Sequence, residues 1–91
     1  MKHPFSLGQV VATPGALDLL TKHDRHAYEF LSRHNAGDWG VLDEEDAREN
    51  DVALINGFRL MSAYEIGDGK RIWIITEADR SVTTILLPDE Y

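Results

Sequence analysis

Apolar residues recur at helical spacing in the first half of the chain. The segment 14–22, PGALDLLTK, follows Thr13, a typical helix N-cap, and begins with a proline, which suits the first helical position. We expect this helix to bury Leu17 and Leu20, with Ala16 beside them. Because it is short, tertiary packing must stabilise it.

A second helix is predicted over 25–34, RHAYEFLSRH, with Asp24 as its N-cap and Gly37 as its stop. Its apolar face follows the i, i+3, i+4, i+7 rule. The residues of this face are Ala27, Phe30, Leu31 and His34. We interpret His34 as a packed structural histidine with a backbone partner.

The third and longest helix is predicted over 42–58, LDEEDARENDVALINGF, with Asp43 as its N-cap and Gly57 as its end. Acidic residues fill its first turn, where the positive end of the helix dipole favours them. The segment before it, GDWG at 37–40, predicts a tight loop that tucks Trp39 against the core. The buried stripe of the helix is expected to contain Ala47, Leu54 and Ile55.

Two polar residues fall on or near this stripe. At 100° per residue, Asp51 lies near its centre and Asn50 at its margin. A buried ionised carboxylate needs a partner, and the candidates are Arg59, Arg71, or hydroxyl and backbone groups of the sheet. Asn50 and Asp51 are therefore predicted to be buried, hydrogen-bonded and structural, as is His34.

The last third of the chain changes to the pattern of strands. Strands are predicted over 59–66, 70–76 and 81–87, and GDG between the first two is a hairpin signal. A short N-terminal strand, QVVAT, is predicted at 9–13, with its place in the sheet left open. The fold class is therefore α+β: a short N-terminal strand, three helices, then a three-stranded antiparallel meander with helices packed on the sheet.

The pairing of the last two strands decides which residues share a face. We expect Glu77 to pair near Ser81, which places Trp73 opposite Ile85. If helices cover the Trp73 face, the other face, with Ile72, Ile74 and Thr84, is too apolar to be left wholly in water. Either the helices are divided between the faces, or the open face binds something, and a homodimer is one such arrangement.

Length and composition limit the classes of function. The 91 residues suit a single domain, 1–91, and the absence of cysteine excludes disulfides and thiolate metal sites. The net charge of −7 argues against direct binding to nucleic acid, because phosphate backbones require a basic surface. Neither a signal peptide nor a membrane-spanning segment is predicted, so we expect a cytoplasmic protein without a membrane partner.

Acidic residues are concentrated at the start of the third helix. The carboxylates considered for partner binding are Asp43, Glu44, Glu45, Asp46 and Glu49. A capped, solvated helix end explains them without any function, whereas the functional interpretation is an acidic face for a basic protein or a mimic of duplex phosphates. The hairpin tip adds Glu77, Asp79 and Arg80, which also suit an ordinary turn.

Signals for catalysis or for a cofactor are weak. His23 and His26 are three residues apart but straddle the expected cap at Asp24, so we predict no metal site. The chain contains neither a G-x-S-x-G element nor a phosphate-binding glycine loop. We therefore expect no catalytic residue, no cofactor and no enzyme activity.

Three stretches of the chain are distinctive together: VATPGAL (11–17), RHNAGDWG (33–40) with LDEEDARENDVAL (42–54), and WIITEADRSVTTILLPDEY (73–91). They resemble a family of small proteins encoded by bacterial plasmids, integrative elements and phages. The resemblance covers nearly the whole chain. It implies a context, accessory genes on mobile DNA, and no catalytic residues. By analogy, such genes often make small acidic proteins that inhibit host defence or regulate other proteins.

The sequence thus favours a non-enzymatic protein-binding module, with inhibition of a host defence or regulatory protein as its role. The alternative is a nucleic-acid-associated regulator or DNA mimic, and a small hydrolase is the third hypothesis. The protein partner is not identified by any motif.

Overall fold

The structure, a computed structural model, describes residues 5–91 and has the α+β architecture that the sequence predicts. Three helices lie between the first strand and the remaining three. The elements are β1 (Gln9–Ala12), α1 (Pro14–Lys22), α2 (Ala27–Asn35), α3 (Glu44–Asn56), β2 (Leu60–Gly67), β3 (Lys70–Thr76) and β4 (Val82–Leu86), followed by a 3-10 turn at Pro88–Glu90.

The four strands form one mixed sheet in the order β1-β4-β3-β2. The last three strands are antiparallel neighbours, as expected for a meander. β1 adds to the meander as a parallel neighbour of β4, with Gln9 opposite Val82. The sequence had left the position of β1 open, because a parallel pairing between the two ends of a chain has no local signature.

The register of β3 against β4 differs by one residue from the predicted one. Trp73 lies opposite Leu86 rather than Ile85. The cause is the length of the turn: Glu77 N–H donates to the carbonyl of Val82 at 3.0 Å, so the turn is longer than the one expected to close at Ser81. Since a shift of one residue moves a side chain to the other face, the prediction for Thr84 was wrong.

The helices cover the sheet face that contains Ile72 and Ile74. In the main core, Ala16 and Leu20 from α1 and Phe30 from α2 pack against this face. The opposite face contains Trp73, which is half-buried, and the Tyr91 ring packs edge-on against its indole at a centroid distance of 5.5 Å. This face is covered only in part by the end of the chain.

Local capping explains two of the three helix starts. The Thr13 hydroxyl accepts from Ala16 N–H at 3.1 Å, and the Asp43 carboxylate accepts from Asp46 N–H at 2.8 Å, as the sequence predicted. The expected cap at Asp24 is wrong. Asp24 has a φ of 54°, and the following residue, Arg25, donates its N–H to Leu20 O at 2.9 Å.

Asp24 therefore ends α1 in the left-handed conformation that closes many helices, a position at which glycine or asparagine is more usual. The second helix starts two residues later than predicted, with His26 at its N-cap and no side-chain cap. Leu17 was also misplaced, because its side chain is 48% exposed while Ala16 is buried.

Candidate functional site

The first turn of α3 is an exposed cluster of carboxylates. Glu44, Glu45 and Asp46 all lie in this turn and all are exposed, and Glu49 follows one turn later on the surface. The helix dipole stabilises negative charge here, and the Asp43 carboxylate is itself required as the N-cap. Local helix chemistry therefore accounts for the position of these groups, and a ligand is not needed to explain it.

The rotation of α3 about its axis is determined by Asn50. Its side-chain amide donates to Met61 O at 2.5 Å, and its side-chain oxygen accepts from Met61 N–H at 3.0 Å. The buried Asn50 thereby satisfies both main-chain groups of a residue in β2, as a neighbouring strand would do. This paired contact directs one face of α3 toward the sheet.

On the buried face, Ala53 is 6% exposed and packs with Leu60 and Trp39. Two apolar side chains on the opposite face, and a third just beyond the Gly57 cap, reach into solvent. Val52 is 52% exposed, Ile55 84% and Phe58 59%. We call these three residues the α3 patch. The prediction that Ile55 belongs to the buried stripe was wrong, because Asn50, and not Asp51, lies at the centre of that stripe.

Asp51 is the second correction on this helix. It is exposed, and its carboxylate accepts a hydrogen bond from the indole N–H of Trp39 at 3.1 Å. Neither of the arginines proposed as a partner is needed. Asp51 therefore helps to hold Trp39, which is 6% exposed, against the core as the GDWG segment predicted.

Arg80, expected at a partner-binding hairpin tip, instead joins the β3–β4 turn to the end of α3. Its Nη1 donates to Phe58 O at 2.7 Å and to Glu77 O at 3.0 Å, and its Nη2 donates to Ala53 O at 3.4 Å. Two of these carbonyls belong to the C-terminal end of α3, where a cation interacts favourably with the helix dipole. Arg80 is thus a structural cap.

The other two charged residues of the tip remain near solvent. Asp79 accepts from the Ser81 hydroxyl at 2.6 Å and from Ser81 N–H at 3.0 Å, and these bonds hold the pKa of Asp79 below its usual range. Glu77 is half-buried, and its main-chain N–H and carbonyl both form hydrogen bonds. Asp79 therefore satisfies main-chain and side-chain donors of the turn, as expected, while the Arg80 side chain extends from the turn to the end of α3.

The acidic cluster and the hairpin tip lie at opposite ends of α3. A helix of 13 residues is about 20 Å long, so the carboxylates at its start and the Arg80 contact at its end are far apart. The sequence had suggested that they form one surface. Instead, the hairpin tip adjoins the α3 patch through Phe58, and the acidic cluster lies beyond the patch, toward the start of the helix.

A buried chain of side-chain hydrogen bonds crosses the core beneath α2. His34 Nδ1 lies 2.6 Å from the Ser62 hydroxyl and Nε2 lies 2.8 Å from that of Thr76. Thr76 is 2.7 Å from Thr83, whose hydroxyl donates to Leu7 O at 2.7 Å. The Leu7 carbonyl can only accept, so it determines the direction of every hydrogen bond in the chain. Thr83 donates to Leu7 O, Thr76 to Thr83, His34 Nε2–H to Thr76, and Ser62 to His34 Nδ1.

Burial keeps His34 neutral. Desolvation, reinforced by the nearby positive charge of Arg80, lowers the pKa of His34 to about 4. The serine–histidine pair has the elements of a nucleophile and a base, but His34 and Ser62 are both 0% exposed. A substrate has no route to them in this conformation. The chain of hydrogen bonds therefore specifies the core and does not form a catalytic site.

His23 and His26, the other histidines within residues 5–91, belong to no cluster of metal ligands there, and His3 lies outside the described residues. His23 packs beside Gly67, and His26 lies at the N-cap of α2. Within residues 5–91, no group of three or more His, Asp or Glu side chains is placed to hold an ion.

No protein-family model, curated protein or solved structure matches the chain. In the part of the chain that the structure describes, none of the helices combines the length and the apolar character required to span a bilayer.

Sequence reasoning missed Val52 and Phe58 and the partners of His34. A signal existed for both groups. Val52 and Ile55 lie three residues apart on the side of α3 away from Asn50, and Phe58 follows the glycine that ends the helix. Ser62, Thr76 and Thr83 are hydroxyl residues at strand positions whose neighbours along the same face are large and apolar.

Proposed function

We propose that the protein is a non-enzymatic binding module that recognises another protein through the outer face of α3. The observation that carries the proposal is the α3 patch. Ile55 at 84% exposed and Phe58 at 59% are large apolar side chains that lie mostly in solvent, outside both core clusters of the described residues. Exposed apolar groups on a rigid helix are typical anchors for a protein interface.

The polar surroundings of the patch define the partner. An open depression of about 510 Å³ beside it is lined by Val52, Phe58, Arg48 and two carboxylates, Glu45 and Glu49. Farther toward the helix start lie only acidic residues. A complementary partner therefore presents apolar side chains with lysine or arginine next to them, so that charge steers the encounter and apolar burial holds the complex.

Asn50 and Arg80 make this face suitable for recognition. Asn50 determines the rotation of α3, and Arg80 fastens its C-terminal end to the hairpin. Neither fastening uses a side chain of the patch. A surface whose helix is already held in place by such contacts loses little conformational entropy on binding, which favours affinity.

The resemblance to proteins encoded by plasmids, integrative elements and phages supports a more specific role. We propose inhibition of a host defence or regulatory protein in the bacterial cytoplasm. The alternative is a DNA mimic, in which the exposed carboxylates of the first half of α3 replace duplex phosphates. Under that alternative the partner is a DNA-binding protein, and duplex DNA displaces it.

The test compares proteins captured from a bacterial lysate by immobilised wild type and variants. Ile55→Ser removes the most exposed anchor. Tyr28→Ser is the matched control, because Tyr28 is also large, helical and 78% exposed, but lies on α2. A third variant neutralises the acidic cluster, with Asp43→Asn chosen there because asparagine also caps helices. Its changes are Asp43→Asn, Glu44→Gln, Glu45→Gln and Asp46→Asn.

We expect a protein that wild type and Tyr28→Ser both retain and that Ile55→Ser loses. Purified, this protein should bind wild type with an affinity that falls as salt rises, and the neutralised variant should show a weaker salt dependence. If Ile55→Ser captures the same proteins as wild type, the α3 patch is not the interface. Release of the captured protein by duplex DNA would favour the mimic.

A further inference from the structure

The outer edge of β1 is unpaired in the part of the chain that the structure describes. β1 is the terminal strand of the sheet and pairs only with β4. Gln9 N–H donates to Ser81 O at 2.9 Å and Thr13 N–H to Ile85 O at 2.9 Å, so alternate residues point toward β4. Val10 and Ala12, between them, direct their N–H and C=O groups away from the sheet.

The opposite edge of the same sheet is closed. Val41 N–H donates to Ala63 O at 2.8 Å, and Ala63 N–H donates to Trp39 O at 3.3 Å. The loop before α3 thus covers the middle of β2 as a short parallel neighbour. A protein that protects one edge and leaves the other open presents a single place for strand addition.

β1 also lacks the devices that usually prevent strand addition. Residues 5–17 contain no charged residue, although 27% of the chain is charged. The strand itself contains neither proline nor glycine, and its central side chains, Val10 and Val11, are 41% and 40% exposed. The Glu90 carboxylate accepts from the hydroxyl of Thr13, a residue beyond the end of the strand.

We infer that β1 pairs with the β1 of a second copy. A two-fold axis through the edge near Val11 places Val10 opposite Ala12 of the second copy, so that each pair exchanges both main-chain hydrogen bonds. The two four-stranded sheets then become one continuous sheet. Because each copy has a net charge of −7, two copies approach most readily through a surface without charge, and β1 is such a surface.

The length of β1 limits the strength of this dimer. The edge has only four residues, so the area buried falls below the roughly 1,200–2,000 Å² of a standard stable interface. We therefore expect a reversible dimer with a dissociation constant of about 10 μM or weaker. This inference is independent of the proposed role of α3, since no residue of the α3 patch takes part.

Sedimentation across a range of protein concentrations tests the inference with a matched pair of variants. Val10→Glu places a charge at the open edge. Val41→Glu makes the same change in net charge at a valine of similar exposure, 43%, beside the closed edge. We expect wild type and Val41→Glu to dimerise alike. Val10→Glu should raise the dissociation constant at least about tenfold, since it places a charge opposite Ala12 of the second copy and the two like charges lie diagonally across the axis.

Val10→Pro provides a second variant, because it removes an N–H that points away from β4 and leaves the bonds to β4 intact. Amide hydrogen exchange provides a readout that does not depend on any variant: protection of Val10 and Ala12 should rise with protein concentration. A wild type that is monomeric at millimolar concentration, or a Val10→Glu variant that dimerises as well as wild type, would overturn the inference. Concentration-dependent protection confined to other residues would also overturn it.

Discussion

The guanidinium of Arg80 donates a 2.7 Å hydrogen bond to the main-chain carbonyl of Phe58. This bond joins the β3–β4 turn to the end of α3, and Arg80 adopts a left-handed φ of 61° to make it. A charged residue at a hairpin tip is therefore used to close a helix. The same contact brings the hairpin to the α3 patch.

Arg80→Ala should lower the free energy of unfolding by about 1.5–3 kcal/mol, the usual value for a part-buried hydrogen bond to a charged donor. The loss arises because Ala53 O and Phe58 O lose a donor at the end of the helix. Urea denaturation measures it. Arg48→Ala is the control, since Arg48 is an exposed arginine on the outer face of α3 and should change stability by less than about 0.5 kcal/mol. Equal effects of the two substitutions would show that Arg80 is not a cap.

Asn50→Asp should destabilise the fold strongly, although the two side chains are nearly the same size. The carboxylate still accepts from Met61 N–H but has no N–H for Met61 O, and it places a negative charge against that carbonyl. We expect a loss of about 2–4 kcal/mol at pH 7, consistent with an uncompensated charge in a buried site. Asp51→Asn, one residue along, is the control and should cost less than about 1 kcal/mol because Asp51 is exposed.

Thermal melts of the two variants at pH 7 and near pH 4 provide the measurement. Protonation of the new carboxyl group at position 50 restores a donor, so the difference in melting temperature between Asn50→Asp and wild type should be smaller at low pH. A difference in melting temperature that does not change with pH would mean that the loss of stability is not electrostatic.

Stability should depend on pH through His34. Its pKa is about 4 in the folded state and 6.5 in the unfolded chain, so the unfolded state binds more protons between these values. Stability is therefore complete above pH 6.5 and is lost as pH falls toward 4, by about 3 kcal/mol in total. Because the lowered pKa values of Glu29, Asp38, Asp79 and Glu90 act mainly below this window, pH 4.5–6.5 isolates the histidine.

Urea denaturation in steps of pH, with wild type and His34→Gln, checks this expectation. Glutamine has one donor and one acceptor and does not titrate, so the slope between pH 4.5 and 6.5 should decrease in the variant. Nitrogen NMR of the wild-type ring provides a second readout, in which Nε2 should carry the proton because Leu7 O determines the direction of the chain. A ring that titrates near pH 6.5, or one with the proton on Nδ1, would contradict the buried network.

The sequence predicted those features that depend on neighbouring residues. Thr13 and Asp43 cap their helices and Gly57 ends α3 with a φ of 74°, because caps need only a few local groups. The choice between Asn50 and Asp51 was not local. It depended on which polar side chain matches the main chain of Met61, a residue whose distance from α3 is determined only when the sheet has formed.

The position of β1 was left open and the predicted register of β4 was wrong by one residue, both for a similar reason. Both are decided by contacts between residues far apart in the chain, such as Thr13 N–H with Ile85 O. Likewise, the sequence indicated carboxylates at the start of α3, but the α3 patch became visible only when the rotation of the helix was known. Apolar residues on a helix are assigned to the core by default, and Ile55, like Leu17, departs from that assignment.

Gly40→Ala should be far more destabilising than Gly37→Ala, although both glycines have a positive φ, 76° and 83°. A Cβ at Gly37 meets nothing within 4 Å, so alanine there bears only the left-handed backbone strain of about 1–2 kcal/mol. A Cβ at Gly40 would overlap the Ala63 carbonyl, which the next residue, Val41, uses to close the edge of β2. The loop must therefore leave β2, and Trp39 must leave the core with it.

We expect Gly40→Ala to lose at least about 3 kcal/mol, which is the shared strain plus the loss of two main-chain hydrogen bonds at a buried residue. Indole fluorescence separates the causes, because a released Trp39 emits at longer wavelength while Gly37→Ala keeps the wild-type spectrum. Trp73→Phe in both backgrounds removes the second indole, so that Trp39 alone is observed. If the two alanine variants unfold at the same urea concentration, the loop before α3 does not close the edge of the sheet.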